Sequence, residues 1–207
     1  IFETQAEVDN FQINYPDCKK IEGDVIISDC YITNLHGLTV LDSIGGSFLI
    51  RRNPLINFTG LENLRFIGGN LIIGDIYDLG QLSLESLDGL QNLEFIGGDL
   101  RIYDTYFTSL SGLEGLKTIN GELIIGDWPY GLNWNLANLN GLDGLKFIGG
   151  SLSLERNRKL ANIGALSNLS FIGGSLKIIN NHELTSLSGL EHITHIRGDL
   201  NIDDNIA

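Results

Sequence analysis

Three aspartates are the first residues of this chain whose type and spacing could support chemistry. Asp75, Asp104 and Asp127 each stand two residues after a short apolar phrase, LII, LRI and LII respectively. If these phrases are neighbouring strands of one parallel sheet, the carboxylates stack about 5 Å apart. Such a column could begin a calcium site, because calcium takes several oxygen ligands, or it could supply acid groups to a polysaccharide-active enzyme of the β-helix type. The simplest interpretation is that aspartate suits the turn after a strand.

Aromatic residues concentrate in the same stretch of sequence. Both tryptophans of the protein belong to one segment, GDWPYGLNWNLAN, at residues 126–138. Aromatic side chains supply a large contact area at low entropic cost, so a groove lined by them would suit a protein ligand or a sugar ring. Alternatively, the rings pack back onto the domain as small local cores. Together with the three aspartates, the candidate ligand-binding residues are Tyr77, Tyr103, Tyr106, Phe107, Trp128, Tyr130 and Trp134.

These residues are positioned by an internal repeat that fills almost the whole chain. Alternating apolar residues in one phrase, typified by IGGNLII, predict a strand. A second phrase, such as LDGLQNLEFI at residues 87–96, places apolar residues three apart, which suits successive tight bends rather than a long helix. The second glycine of the first phrase recurs in every copy, which indicates a positive φ or a close backbone approach. Copies of the first phrase begin at Ile21, Ile44, Ile67, Ile96, Ile119, Ile148, Ile172 and Ile196, which are 23 to 29 residues apart.

A single unit of this kind cannot bury its own apolar face, whereas stacked units can. The sequence therefore predicts an all-β solenoid, in which each of about eight coils adds one strand to a parallel sheet and points its leucine and isoleucine columns inward. We expect one domain over residues 1–207, with an N-terminal cap at 1–20 and the eight repeats at 21–205.

Both ends of a solenoid need protection, because a terminal coil lacks one neighbour. At the N-terminal end, Thr4 and Glu7 match a capping box that opens a short helix over about residues 5–14. Its apolar residues Val8, Phe11 and Ile13 would pack on the first coil. At the other end the last strand is polar and charged, which discourages edge-to-edge pairing; the residues concerned are Asp199, Asn201, Asp203 and Asp204.

Two coils are six residues longer than the others. Their extra length lies in residues 74–86 and 126–138, and both segments begin with Gly-Asp directly after the strand, so both leave the solenoid at the same corner. The aromatic segment at residues 103–109 lies between them. Insertions in repeat proteins often mark the binding face, which places the candidate groove at residues 75–134.

The outward-facing position of the strands changes character along the chain. It is mainly apolar in the first coils and polar in the later ones. Exposed apolar patches often mark contacts, so contact with a partner and covering by N-terminal residues are both open. In chain order the position reads Ile26, Leu49, Ile72, Arg101, Ile124, Ser153, Lys177 and Asn201.

The composition excludes some classes of partner. A net charge of −13 with only 13 lysines and arginines argues against nucleic acid and against adhesion to anionic membranes. No apolar stretch reaches transmembrane length, so we expect no direct membrane insertion, and this chain contains no secretion signal. Cys18 and Cys30 flank one predicted strand; either they form a disulfide, which would favour an oxidising compartment, or they are two free buried thiols.

The repeat resembles the receptor L domain, the repeat module of insulin- and EGF-receptor ectodomains, and especially its Bacteroidetes-type bacterial surface versions. Residues 176–181 and 200–205 share the pattern LxI-xx-N of a leucine-rich-repeat strand, and residues 152–157 match it with leucine in place of isoleucine. The opening TQAEVDNFQINYPDCKKIEGDVII matches the family's short helix, cysteine and first IEG strand. The resemblance implies a right-handed β-solenoid, an extracytoplasmic location and protein ligands. It carries over no ligand-binding residue.

We therefore expect a non-catalytic binding or adhesion module of a secreted or outer-membrane-anchored surface protein, which binds protein or carbohydrate and needs no cofactor. A calcium ion at Asp75, Asp104 and Asp127 is the one cofactor that the sequence leaves open. The rival hypotheses are a polysaccharide-active enzyme that uses the same three aspartates, and a purely structural spacer.

Overall fold

The computed structural model describes residues 2–28, 31–74, 83–126 and 133–205. In these residues the chain forms two eight-stranded parallel β-sheets on one solenoid. Each copy of the repeat contributes a two-residue strand that ends at its first isoleucine, and a longer strand over its alternating apolar residues. The all-β solenoid that the repeat predicts is therefore confirmed.

We call the sheet of two-residue strands the narrow sheet and the other the wide sheet. The narrow sheet consists of β1 (Lys20–Ile21), β3 (Ser43–Ile44), β5 (Phe66–Ile67), β7 (Phe95–Ile96), β9 (Thr118–Ile119), β11 (Phe147–Ile148), β13 (Phe171–Ile172) and β15 (His195–Ile196). The wide sheet consists of β2 (Val25–Ser28), β4 (Phe48–Arg51), β6 (Leu71–Ile73), β8 (Leu100–Ile102), β10 (Leu123–Ile125), β12 (Leu152–Glu155), β14 (Leu176–Ile179) and β16 (Leu200–Asp203). The helical elements are α1 (Gln5–Asp9), α2 (Phe11–Asn14) and the 3₁₀ turns His36–Leu38 and Gly164–Leu166.

The sequence predicts one strand per coil, and the structure contains two because a glycine corner divides them. The second glycine of this corner does not need a positive φ; it needs space. A Cβ on Gly121 would lie 2.6 Å from the carbonyl carbon of Gly98 and would collide with Asp99 Oδ1. That same oxygen accepts a hydrogen bond from the backbone N–H of Glu122, at 2.8 Å. From the second coil onward, each corner is thus packed directly against the preceding coil, which explains why only glycine occupies it there.

The core lies between the two sheets and the bends that connect them. Leu100, Ile102 and their in-register neighbours on adjacent strands are fully buried. In the second phrase, Leu87, Leu90 and Leu93 are also buried, and backbone hydrogen bonds link each to the next. The three-residue spacing therefore corresponds to successive tight bends, as predicted. Burying each such side chain contributes roughly 1.5–3 kcal/mol.

The N-terminal end of the solenoid is covered by the predicted helical cap. Thr4 and Glu7 form the capping box at the start of α1. The helix is interrupted at Asn10, so residues 5–14 form α1 and α2 rather than one helix. Val8 is buried in the core, but Ile13 is exposed, so the prediction that it packs on the first coil is wrong.

The C-terminal coil has no such cover in the described residues. Leu200 on β16 is 61% exposed, whereas its in-register neighbour Leu176 on β14 is 2% exposed. Every residue of β16 is exposed, including the polar residues that the sequence places on this strand. The two ends of the solenoid therefore differ in how their apolar columns terminate.

Candidate functional site

The outward column of the wide sheet exists as the sequence predicts. The strand register aligns Ile26, Leu49 and Ile72 on the first three strands, and continues through Arg101 to Ile124. The four apolar side chains are partly exposed. Phe2 does not lie across them: its backbone N–H donates to the carbonyl of Ile26, and it pairs beside Ile27 at the edge of the sheet. The first three strands thus present a continuous apolar strip.

Arg101 interrupts this strip with a fixed positive charge. Its Nε and Nη2 both donate to Asp99 Oδ2, at 3.1 and 2.6 Å, and Nη2 lies 4.0 Å from Glu122 Oε2. Burial works to lower the pKa of Arg101, but hydrogen bonding and attraction to Asp99 and Tyr103 raise that pKa above its usual range. The guanidinium is therefore charged and held in position beside apolar neighbours.

The aromatic candidates divide into buried and exposed side chains. Phe107 belongs to the core, and Tyr103 is also buried, so neither ring offers a surface to a ligand. Tyr106 and Trp134 are 46% and 45% exposed. Tyr77, Trp128 and Tyr130 lie outside the described residues. Two of the candidate rings, Tyr103 and Phe107, thus pack into the domain, and two others, Tyr106 and Trp134, lie at its surface.

Trp134 is accompanied by a cation from the next coil. The guanidinium carbon of Arg158 lies 4.8 Å from the centre of the Trp134 ring, which is a cation–π geometry. Beside it, Lys159 Nζ donates to Asn135 Oδ1 at 3.3 Å. The two coils are therefore linked at the corner that follows the wide sheet, and the exposed indole is held rather than free.

A ladder of buried asparagines lies beneath this corner. Asn133 Nδ2 donates to Asn157 Oδ1 at 3.1 Å, and Asn157 Nδ2 donates to Asn181 Oδ1 at 3.2 Å. Asn181 continues the ladder to Asn205. Asn133 lies ten residues after Leu123, whereas Asn157 lies five residues after the aligned Leu152, yet both occupy the same ladder. Asn133 Oδ1 also accepts a hydrogen bond from the backbone N–H of Thr105. Gly126 and Asn133 therefore both belong to the solenoid, on either side of residues 127–132.

The two long segments begin with glycines at the same corner of their coils. Gly74 and Gly126 follow β6 and β10 directly, and both have positive φ, +97° and +72°. A residue with a Cβ at either point would collide with the carbonyl oxygen of the next coil, Tyr103 or Glu155. Residues 75–82 and 127–132, which follow these glycines, lie outside the described residues.

Of the three stacked aspartates, only Asp104 can be placed, since Asp75 and Asp127 lie outside the described residues. Asp104 has a φ of +47°, and Arg156 and Asn180 at the same corner of later coils also have positive φ. A corner that accepts arginine as well as aspartate supports the turn interpretation. Burial raises the pKa of Asp104 above its usual range. The described ranges hold no cluster of three acidic, histidine or cysteine residues suited to a metal ion, and the calcium and catalytic hypotheses stay predictions.

Cys18 carries a free thiol, and its Sγ lies 3.4 Å from the carbonyl oxygen of Lys20. The disulfide between Cys18 and Cys30 is therefore not shown, and Cys30 itself lies outside the described residues. No helix in the described part of the chain is both long and apolar enough to cross a membrane.

One group of aromatic residues was missed by the sequence analysis. Phe66, Phe95, Phe147 and Phe171 occupy the first position of their two-residue strands and point outward from the narrow sheet. Their recurrence directly before the isoleucine of the IGG phrase could have revealed them.

The comparisons with known proteins agree with the first coils of this architecture. Residues 17–88, about a third of the chain, match the family model described as Receptor L domain. The matched segment begins just before β1 and reaches the third coil. No curated protein and no solved structure matches the chain. The match supports the receptor L domain family, and it is consistent with a non-catalytic binding role.

Proposed function

We propose that the chain is a non-catalytic binding module of the receptor L domain type, secreted or displayed on a bacterial surface, and that its ligand is a protein. The match over residues 17–88 supports the family, and modules of this family are typically extracellular and bind ligands. The same repeat continues to residue 205 in one solenoid, which supports extending the assignment to the whole chain.

The observation that carries the proposal is the exposed pair Tyr106 and Trp134 at the carboxyl edge of the wide sheet. Large aromatic side chains left half exposed on neighbouring coils are typical anchors of protein interfaces. Arg158 over the indole adds a positively charged group, so the surface offers apolar area together with a cation. A protein ligand with an apolar patch and a nearby carboxylate would satisfy both features.

The apolar strip of Ile26, Leu49 and Ile72 provides a second contact area on the same sheet. It lies on the outer face of the strands whose carboxyl ends lead to the aromatic corner. A ligand that bridges the strip and the corner would cover the charged Arg101 between them. This arrangement favours a protein ligand over a single sugar ring, because the distance from β2 to β10 spans about four strand spacings, roughly 19 Å.

The proposal is tested by screening the purified domain against panels of extracellular proteins and of glycans. The informative variant is Tyr106→Ala with Trp134→Ala, and the matched control is Tyr15→Ala, which removes an exposed aromatic ring from the cap. We expect a protein hit whose affinity falls at least tenfold in the double variant, with an unchanged melting temperature, and is retained in the control.

Three other outcomes are informative. Equal loss in the control would contradict the proposed site. Hits confined to glycans would establish a sugar ligand in place of a protein. Failure to bind any member of either panel would favour the spacer hypothesis, in which the aromatic corner only packs the coils.

A further inference from the structure

The outer face of the narrow sheet carries a column of phenylalanines with one interruption. The strand register aligns Phe66 with Phe95, and Phe147 with Phe171. Between these two pairs the same position is Thr118, on β9. The rings of Phe147 and Phe171 are parallel within 2°, with centres 4.9 Å apart, and the rings of Phe66 and Phe95 are 6.3 Å apart. The column is therefore two aromatic pairs separated by one small residue.

This interruption leaves a slot the size of one aromatic ring. Phe95 and Phe147 are two strand spacings apart, about 10 Å, and Thr118 forms the floor between them. A ring placed midway would lie about 5 Å from each phenylalanine, close to the 4.9 Å spacing of the pair Phe147–Phe171. Within the described part of the chain, Phe95 and Phe147 each contact one other ring, on the side away from the slot.

The far end of the column shows how the fold covers an aromatic face that has no aromatic neighbour. Phe171 is followed by His195 in the register, and the guanidinium carbon of Arg197 lies 5.1 Å from the Phe171 ring centre. No corresponding cation lies over the slot-facing ring of Phe95 or Phe147 among the residues that the structure describes. Phe66, at the other end of the column beside Ser43, is 49% exposed. The slot is thus the place in the column where two rings without such a cation lie on either side of one small residue.

One rim of the slot is positively charged. Lys117 and Lys146 are neighbours on successive coils, since the backbone N–H of Lys146 donates to the carbonyl of Lys117 at 3.0 Å. Glu94 is shared by Lys117 and Arg65, at 2.6 and 2.8 Å. Lys146 is exposed and makes no ion pair with any described residue. At the slot, Lys117 and Lys146 therefore place two positive charges beside one carboxylate, Glu94, in a protein whose net charge is −13.

The opposite rim of the slot is also unusual. The residue that follows the isoleucine is glycine in the coils on either side, Gly97 and Gly149, but it is Asn120 in this coil. Asn120 is exposed, so its amide is available for hydrogen bonds at the edge of the slot. The fifth coil therefore departs from its neighbours at two outward positions of the same face, Thr118 and Asn120.

We propose that this slot is a second contact site, which binds an aromatic side chain from an acidic segment of a partner protein. The partner's ring completes the column between Phe95 and Phe147, and carboxylates beside it pair with Lys117 and Lys146. Charge complementarity favours an acidic partner. The apolar walls favour an aromatic ring over a sugar, whose hydroxyl groups would lose their hydrogen bonds there. The site lies on a different sheet from Tyr106 and Trp134, so it does not depend on the proposed function.

The experiment uses the tripeptide acetyl-Glu-Trp-Glu-amide as a probe and backbone-amide NMR of the whole chain as the readout. Thr118→Phe fills the slot, and Ser43→Phe is the matched control, because Ser43 lies in the same column beside Phe66 but outside the slot. We expect shifts at Thr118, Asn120 and Lys146, an affinity at least fivefold weaker in Thr118→Phe, and no change in Ser43→Phe. Lys117→Gln with Lys146→Gln should also weaken binding, by at least threefold.

Control peptides and a nucleotide test whether the slot requires both an aromatic ring and neighbouring carboxylates. Acetyl-Lys-Trp-Lys-amide and acetyl-Glu-Ala-Glu-amide should each bind at least fivefold more weakly than the probe. The proposal is overturned if Thr118→Phe retains the probe's affinity while folded, if the alanine peptide binds equally well, or if no slot amide shifts at 10-fold molar excess or at the probe's solubility limit. Tighter binding of adenosine monophosphate than of the probe would also overturn it in favour of a nucleotide site. Retention of probe binding in the Tyr106→Ala, Trp134→Ala variant separates this site from the aromatic corner.

Discussion

Interior and terminal coils of this solenoid carry the same motif, but the same position has different surroundings in each. Gly121 in an interior coil is packed against Gly98 and Asp99, whereas Gly23 in the first coil would have no atom within 4 Å of an added Cβ. Leu176 is buried by the coil that follows it, and Leu200 in the last coil is exposed. In a repeat structure, the constraint on a residue comes from the neighbouring coil rather than from its own.

The two ends differ from each other as well. At the N-terminal end, α1 and α2 replace the missing coil, and Val8 is as deeply buried as the leucines of the interior. At the C-terminal end of the described residues, charged and polar side chains on β16 accompany exposed apolar ones. Covering the first coil with a helix restores burial, whereas polar residues on the last strand only discourage pairing with another sheet edge.

The largest difference is expected for the leucine column of the wide sheet. Leu176→Ala should lower the free energy of unfolding by about 2–5 kcal/mol, because it removes buried methyl groups and leaves a cavity. Leu200→Ala, at the in-register position of the last coil, should lower it by less than about 1 kcal/mol, since that side chain is mostly exposed. Urea denaturation of both variants measures the contrast. Equal losses would mean that Leu200 is covered in solution.

The corner glycines should show a smaller contrast of the same kind. Gly121→Ala should lower the free energy of unfolding by about 1–3 kcal/mol, because its Cβ meets backbone atoms of Gly98 and disturbs the hydrogen bond from Glu122 to Asp99. Gly23→Ala should change it by no more than about 0.5 kcal/mol. Chemical denaturation of the two variants in parallel is the measurement. A large loss in Gly23→Ala would show that the glycine is required by backbone conformation and not by the preceding coil.

The smallest effect is expected at Asp104, the interior corner carboxylate. Its pKa is raised by burial, so its ionisation is less favourable in the folded state than in the unfolded state. Its contribution to stability is therefore greatest below the unfolded pKa and is lost as pH rises through the folded pKa. Asp104→Asn should remove this pH dependence and leave stability at pH 7 equal or slightly higher. Melting temperatures of both proteins between pH 3 and pH 7 test this expectation, and a clear loss at pH 7 would indicate that the charged carboxylate has a favourable partner.

Much of the fold followed from sequence periodicity alone. The spacing of the IGG phrases predicts eight coils, and the alternation in residues such as Leu100 and Ile102 predicts which side chains face inward. The capping box of Thr4 and Glu7 is a local pattern, so it could be read without tertiary information. The second strand of each coil was missed, because a two-residue strand has no periodicity of its own and exists only through pairing with its neighbours.

The candidate site was less predictable, because exposure of an aromatic residue is a property of the stack. Phe107 and Tyr106 are adjacent in sequence, yet one lies in the core and the other is 46% exposed. The role of Asn133 was also hidden, since its distance in sequence from the preceding strand differs from that of Asn157, the next asparagine in the ladder. The slot at Thr118 depends on two phenylalanines that come from other coils.

The sequence by itself determined the repeat, the inward columns, the glycine corners and the acidic charge of this protein. These features arise from local periodicity and composition, which each coil carries independently. Only the tertiary structure decided which outward side chains meet across coils, which aromatic rings remain exposed and where a gap is left between them. The physical reason is that each of these properties depends on atoms 23 to 29 residues away in sequence, brought to about one strand spacing by the stacking of the coils.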